Sequence, residues 1–438
     1  ENFAKGKRFG FFPAVSLGWV ISEEKFFPKN NIVKYLKVRG SYGEVGNDQI
    51  GGDRFLYLPS SYGAASDSGV NKYNFGLASN PYTSLMIVEN KIGNPDLTWE
   101  KAKKMNVGVD INLFNNCLTA SFDIFKEKRN NILANRSTSP MIIGANLPAY
   151  NFGEMENRGW EMDLNFRHHI QDFHYWARFN YSFARNEIIY MDEVQKRYDY
   201  QMTTGRRKNQ FFGLIFDGYY NSWEEINALD RPKSSWSGNQ LQPGDVKYID
   251  VNQDGVIDDY DMVPIGYTPV PEIIYGFSFG AQYKGFDFSI LFQGADNVSI
   301  KYFGRSMWPF AKGEESAKSL IKERWTQERY EAGEKITFPR LSLNPNGETD
   351  HNYRPSTLWI RDASYLRLKN LEVGYTFTGG FVKRLNLNSV RLYFNGSNLF
   401  TWTDVVDLDP EAPSRSGNVE INTYPLQKVY NIGLNINF

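Results

Sequence analysis

Apolar and polar positions alternate with a period of two over long stretches of this chain. At the C-terminus Phe438, Ile436, Leu434, Ile432 and Tyr430 fall on one face, and Asn437, Asn435, Gly433 and Asn431 on the other. Trp160, Met162, Leu164 and Phe166 alternate with Glu161, Asp163, Asn165 and Arg167 in the same way. Met105, Val107, Val109, Ile111 and Leu113 oppose Asn106, Gly108, Asp110 and Asn112, while Ala177, Phe179, Tyr181 and Phe183 oppose Arg178, Asn180 and Ser182. Stretches 275–283 and 286–292 repeat the pattern, with Leu291 as the one apolar residue on the polar side. A period of two places successive side chains on opposite faces of a β-strand.

One apolar face suits any antiparallel sheet, so a soluble β-sandwich and a membrane β-barrel both start from this pattern. Three features favour the barrel. The strands run to about ten residues, the length that a tilted strand needs to cross a bilayer. Their polar faces are rich in Asn, Asp, Glu, Arg and Gly, as a wet lumen requires. The third feature is the spacing. Strands at 14–21, 34–43, 104–114, 117–128, 159–167, 175–185, 274–283, 286–295, 365–377, 389–397 and 428–438 leave connections of about 12, 60, 2, 30, 7, 88, 2, 69, 11 and 30 residues, short and long in strict alternation. Short periplasmic turns and long extracellular loops produce that parity, and a sandwich has no reason to keep it. The expected fold is therefore all-β, an antiparallel transmembrane β-barrel with about 11 strands here. Bacterial single-chain barrels have an even strand number, so the reading is of a C-terminal part whose first strands lie upstream.

Composition refines this picture. The 49 Lys+Arg balance 50 Asp+Glu, without the basic surplus that nucleic-acid phosphates require. Mean hydropathy is −0.50, and no run of about 18 apolar residues marks a membrane helix. The 32 Phe, 27 Tyr and 10 Trp need a location, which lipid contact, interfacial girdles and outside loops provide. One cysteine, Cys117, rules out an intrachain disulfide.

Several segments carry a resemblance as a set: 12–19 (FPAVSLGW), 36–43 (LKVRGSYG) with Gly46-Asn47, 94–100 (NPDLTWE), 151–161 (NFGEMENRGWE), 365–370 (YLRLKN), and 398–403 (NLFTWT) with Asp409-Pro410-Glu411. In this order the chain resembles the SusC/RagA family of TonB-dependent outer-membrane transporters of Bacteroidetes. The resemblance implies a 22-stranded barrel, of which this chain would be the C-terminal half. It also implies an N-terminal plug, a SusD-like surface lipoprotein as lid, and energy from the TonB–ExbB–ExbD complex acting through the N-terminal part. Plug, TonB box and first strands are not in this sequence. Phe438, ending an alternating strand, is similar to the terminal aromatic that barrel-assembly machinery recognises.

The sharpest local motif runs from Asp250 to Asp261. Asp250, Asn252 and Asp254 occupy loop positions 1, 3 and 5, and Gly255 stands where the chain must turn. Val256 would offer its carbonyl, Asp258 would reach through a water, and Asp261 would close the shell. Oxygen ligands at this spacing suit Ca²⁺, here as a structural ion stiffening the long loop at 186–273. A metal-free Asp-Gly turn is the other reading.

The inward-facing residues expected to line the lumen are Asp110, Glu161, Asp163, Arg167 and Arg178. Tyr62, Phe211, Phe212, Trp223, Trp236 and Trp308, all in outside loops, are candidates to stack on sugar rings or hold peptide side chains. They could instead anchor the loops. His168, His169 and His174 fall in an expected seven-residue periplasmic turn and read as solvated. The carboxylate pairs Asp409/Glu411 and Glu154/Glu156 read as chance proximity rather than an acid/base pair. Neither a phosphate-binding G-x-x-x-x-G-K loop nor a G-x-S-x-G elbow is present.

The function expected is therefore import without covalent chemistry: TonB-dependent uptake of an oligosaccharide or oligopeptide, with outer-membrane lipid around the barrel. The alternative is a soluble secreted β-rich protein that binds or degrades glycans and carries a structural calcium loop. A passive porin is a third possibility.

Overall fold

A computed structural model describes residues 2–49, 54–58, 61–64, 72–77, 82–138, 147–236, 241–302, 308–310, 319–342, 350–406, 408–411, 418–419 and 426–438. Eleven strands form one antiparallel sheet: β1 (Ala14–Val20), β2 (Val33–Asn47), β3 (Glu100–Leu113), β4 (Leu118–Ala134), β5 (Tyr150–Ile170), β6 (Phe173–Tyr190), β7 (Ile273–Tyr283), β8 (Phe286–Asp296), β9 (Tyr365–Phe377), β10 (Ser389–Thr403) and β11 (Val429–Asn437). Each pairs with its neighbour in sequence, so the sheet is an uninterrupted meander with β1 and β11 at its edges. No helix among the described residues is long and apolar enough to cross a membrane.

All eleven expected strands are present, and several overrun their expected ends. β5 begins at Tyr150 rather than 159, and β4 continues to Ala134 rather than 128. The extra length is polar or charged on both faces, as with Arg129 and Asn130 on β4 and Glu156 and Asn157 on β5. Alternation fades where both faces meet water, so the ladder continues beyond the pattern that reveals it. The expected seven-residue turn also contracts. β5 and β6 are joined at Gln171 and Asp172 alone, and the histidines join the ladder, His169 opposite His174 and His168 opposite Tyr175. At the next short turn Lys284 and Gly285 both have positive φ, 45° and 87°, as a two-residue hairpin whose twist matches its strands requires.

The apolar face is the outer one. Ile432, Leu434 and Tyr375 are well exposed, as are Met105 and Val107. Strict alternation along β9 would put Arg367 on that face with Leu371, Val373 and Tyr375. A bulge prevents it. Leu291 of β8 pairs with Asn370, but Phe292 pairs with Leu368, so Lys369 is an extra residue and the phase reverses below it. Leu366 and Leu368 then face outward and Arg367 inward, opposite Gln293 and Thr401.

The long connections share one rim, and two of them fold together. Residues 191–272 and 297–364 contribute Leu214, Val246, Tyr248, Tyr353, Trp325 and Trp359, among others, to one buried cluster that Val405 joins from the last loop. Short ladders stiffen it, including 216–219 with 246–248 and 299–302 with 360–362. The two loops are also sewn by polar contacts. Asn352 donates to Asp245 at 2.7 Å and accepts from the Val246 amide at 2.9 Å, and Arg340 pairs with Asp245 at 2.6 Å.

Deleting Lys369 leaves Leu368 directly before Asn370, so the ladder against β8 becomes continuous and Arg367 still faces inward. The deletion variant is expected to fold, read by retained heat-modifiable migration on gels; loss of that migration would show that the extra residue is needed where β9 meets β10. Lys369→Ala keeps the residue count and is expected to retain the fold.

Candidate functional site

The inner face is polar because each strand turns its second set of side chains there, and register brings those sets together in transverse rows. Arg39 on β2 lies opposite Gly108 on β3, which lies opposite Asp123 on β4. The Arg39 guanidinium pairs with Asp110 at 3.1 Å and Asp123 at 2.5 Å, and Ser121 donates to Asp110 at 2.9 Å. A Cβ at position 108 would come within 2.7 Å of the Arg39 guanidinium carbon, so glycine there gives the group its room. A second cluster repeats the design. Arg391 on β10 forms a fork with Asp287 of β8, 3.0 Å from Nε, and reaches Glu372 of β9 at 2.6 Å.

The expected lumen residues are on this face. Asp110 belongs to the Arg39 cluster. Glu161 accepts from Ser182 at 3.2 Å and, with Asp163, Asp123 and Asn180, borders a recess of about 260 Å³. Arg178 lies over the Trp176 ring at 5.3 Å. Arg167 pairs in register with Trp176, farther toward the short-turn rim. The face itself is legible from alternation, which also applies to Arg39, Asp287 and Arg391. What sequence reasoning missed is which carboxylates each arginine gathers, because those partners sit 19 to 104 residues away on other strands.

Near the long-loop rim Arg367 is almost wholly buried, 1% exposed. It pairs with Asp409 at 2.6 Å and Glu411 at 3.0 Å, and Glu411 also takes Lys369 at 3.1 Å and the Tyr365 hydroxyl at 2.8 Å. The Asp409/Glu411 pair is thus a clasp that holds the last long loop to β9. Burial pushes the Asp409 carboxyl up, but Arg367 and the amides of Glu411 and Leu426 outweigh it and hold the group below the usual carboxylate range. A second buried carboxylate, Glu272, is held by Arg185 at 2.8 Å and by Arg207. Beside it a pocket of about 360 Å³ is bordered by Glu127, Arg129, Asn157, Asn186 and Lys208. The other pair, Glu154 and Glu156, forms separate ion pairs with Lys128 at 2.9 Å and Lys126 at 2.8 Å.

The loop at 250–261 closes on its own amides. Asp250 accepts from Gln253 at 2.7 Å and Gly255 at 2.8 Å, Asn252 from Asp254 at 2.9 Å, and Asp254 from Val256 at 2.9 Å. Gly255 makes the expected sharp turn, with φ at 83°. Asp258 and Asp261 form a reciprocal capping box over residues 259–261. Asp261 is fully buried and accepts from Val251, Asn252 and Asp258, and burial raises its pKa. Among the described residues no three carboxylate, histidine or cysteine groups converge as a ligand set.

The loop aromatics have different environments. Trp308 lies in the shared core at 8% exposure, so packing rather than a cargo surface explains it. Trp236 packs against that core and carries the Arg354 guanidinium 4.0 Å above its ring. Phe211 and Phe212 are half-buried at a short ladder with 263–264, whereas Trp223 is half-exposed at the head of a five-residue helix. Tyr62 lies in a short strand, 61–64, and its side chain falls outside the described residues.

Over residues 2–399 the chain matches the family described as TonB dependent receptor-like, beta-barrel. It is 28% identical to TonB-dependent receptor P3 of Formosa agariphila, a match covering all of this chain and 43% of that protein. It is 27% identical to TonB-dependent receptor SusC of Bacteroides thetaiotaomicron, covering all of this chain and 41% of SusC. Among solved structures, the RagAB peptide transporter superposes with a TM-score of 0.73 at 24% identity, over the whole chain and 44% of the matched one. The chain spans less than half the length of the curated relatives it matches.

Arg367→Ala leaves Asp409 and Glu411 without their buried countercharge, and breaking such a pair costs about 3–5 kcal/mol. Faster protease cleavage within 404–428 than in the unaltered protein is the expected readout. The clasp has an acid limit whose sign follows from Asp409. Its folded pKa lies below the unfolded value of about 3.9, so its contribution is complete above that pH. It is lost as pH falls through the depressed value. Cleavage of the unaltered protein by an acid-active protease should therefore rise below about pH 4.

Proposed function

The chain belongs to the TonB-dependent receptor-like β-barrel family, and from that membership we propose that it is the C-terminal part of an importer that carries an oligomeric nutrient across the outer membrane. As a barrel of this family it resides in that membrane. The observation that carries the reading is the division of the sheet: an apolar outer face, an inner face of charged clusters, and every long loop on one rim. Such a wall accommodates a polar solute in a wet lumen, while the folded loops restrict the mouth.

The cargo is an oligosaccharide or an oligopeptide. A SusD-like lipoprotein would close over the folded loops, and the TonB–ExbB–ExbD complex would supply energy through the N-terminal part of the same protein. The remaining strands of the barrel would pair with β1 and β11, whose outer edges find no strand within the described residues. That pairing matters because an unpaired backbone group in hydrocarbon costs several kcal/mol. Phe438 is exposed at the end of β11, where assembly machinery can reach it. No step of the proposed transport forms or breaks a covalent bond. Trp223 and Trp236, on the loops, and Arg178 with Glu161 and Asp163, on the wall, are proposed to meet the cargo.

We further propose that the loop at 250–261 holds Ca²⁺ as a structural ion, with Asp250, Asn252, Asp254, the Val256 carbonyl and Asp261 as oxygen ligands and Asp258 acting through water. The donor chemistry fits, because an ionised carboxylate that accepts one amide on each oxygen retains lone pairs for a cation. The ion would relieve the burial of Asp261 and stiffen the loop.

Transport is tested with labelled oligosaccharide and oligopeptide pools in cells with and without the gene. Loss of uptake of one pool on deletion, and its block by a protonophore, is expected. Uptake that survives the protonophore would indicate a passive pore, and unchanged uptake of both pools would overturn the importer. For calcium, the full-length protein is expected to melt several degrees higher in millimolar Ca²⁺ than in chelator. D250N/D254N should abolish that shift. An unaltered melting point together with no bound ⁴⁵Ca would remove the ion from the account.

A further inference from the structure

The outer face of β3–β6 is stratified, and register gives the order of its layers. One transverse row contains Val107, Ile124, Trp160 and Phe183. Just below it Phe122 and Tyr181 flank Trp160, whose ring stacks on Tyr181 with centroids 4.7 Å apart. In the next row toward the long loops Lys126, Arg158 and Arg185 stand side by side on three adjacent strands, with no carboxylate among them. Acids return one row higher, where Lys103, Lys128, Glu156 and Glu187 follow one another. Like charges directly opposite one another repel, so three adjacent cations need an anion.

The protein supplies that anion incompletely. Arg185 turns around the end of β7 to Glu272. Lys126 reaches up to Glu156 at 2.8 Å, yet its side chain remains 49% exposed. Arg158 approaches Glu187 only to 3.9 Å and remains 60% exposed. Lys128, behind them, pairs with Glu154. Trp and Tyr gather where hydrocarbon meets headgroups. Two residues farther along a strand is about 7 Å, which places Lys126 and Arg158 at headgroup depth on the side of the long loops, the outer leaflet. A guanidinium beside an ammonium is a suitable pair for a phosphate, one giving a planar fork and the other a point charge.

We propose that Lys126 and Arg158 form an outward-facing site for the phosphate of an outer-leaflet phosphoglycolipid of the lipid A type. Its acyl chains lie along the apolar row of Ile124 and Trp160, and its phosphate fills the opening between the two cations from below, while Glu156 and Glu187 keep their contacts with Lys126 and Arg158 from above. Lipid would then be held on β4 and β5, the strands bordering the pocket beneath the extracellular loops. The inference rests on the outer-membrane placement, not on the identity of the cargo.

The test uses the full-length protein, delipidated in detergent and mixed with bicelles of phosphatidylethanolamine carrying bisphosphorylated lipid A or its dephosphorylated analogue. Retained lipid is counted by native mass spectrometry. The unaltered protein should retain the bisphosphorylated form about tenfold better, as expected for a charge-assisted contact. K126Q/R158Q should lose that preference, and K383Q/R384Q, which removes two cations at the opposite rim, should keep it. Equal retention of the two lipids, equal retention by K126Q/R158Q, or equal loss in K383Q/R384Q would overturn the site. So would a second protein chain found on this face. Heat-modifiable migration checks that each variant folds, and R158Q alone replaces the double variant if it does not. Recovery of the protein without detergent would refute the membrane placement itself, which separates that failure from failure of the site.

Discussion

Hydrocarbon offers no hydrogen bonds, so every backbone N–H and C=O that crosses it must be paired within the protein. The rest of this structure follows from that constraint. A sequential antiparallel meander satisfies it strand by strand, and nine of the eleven strands have a neighbour on both sides. Once the ladder is obligatory, side chains have only two directions available. The outer set meets lipid and is apolar, and the inner set meets water and is free to carry charge.

Arginines collect opposing charge at several points of the inner face. Arg39, Arg391 and Arg367 each gather two carboxylates, and the glycine at 108 opens the space that one guanidinium occupies. These clusters bind strands to their second neighbours, as in Arg391 to Asp287 across β9. They thus brace the wall laterally, where backbone bonds join only adjacent strands. At the long-loop rim the same chemistry changes purpose, and Arg367 anchors a loop. The bulge at Lys369 makes that possible by reversing the phase of β9 at the level where the loop returns.

The loops obey a different rule from the strands. They are long enough to bury apolar side chains of their own, and residues 191–272 and 297–364 do so in a common core. This decides the fate of the loop aromatics. Trp308 serves that core, Trp236 packs at its edge under Arg354, and Trp223 projects into solvent. Sequence offered no means of ranking them, because an aromatic in a long loop has no periodicity to show which way it faces. The acid-rich loop at 250–261 displays its spacing and its turn at Gly255 in sequence, whereas the full burial of Asp261 depends on the chain folded around it.

Alternation along the chain determined the eleven strands, their antiparallel order, the sidedness of the loops and, except beyond the bulge at Lys369, which residues face inward. It did so because one face of each strand meets lipid and the other water, and that contrast is written residue by residue. The same pattern lost the ends of β4 and β5, where Arg129 and Asn130 on one strand and Glu156 and Asn157 on the other put polar groups on both faces and the contrast vanishes. Tertiary structure alone decided which carboxylates meet Arg39, Arg391 and Arg367, which loop aromatics are buried, and that Lys126 and Arg158 stand level on neighbouring strands. Those outcomes depend on register and on contacts between residues far apart in the chain. A two-residue period specifies the face of a side chain, and only the paired sheet specifies its neighbour.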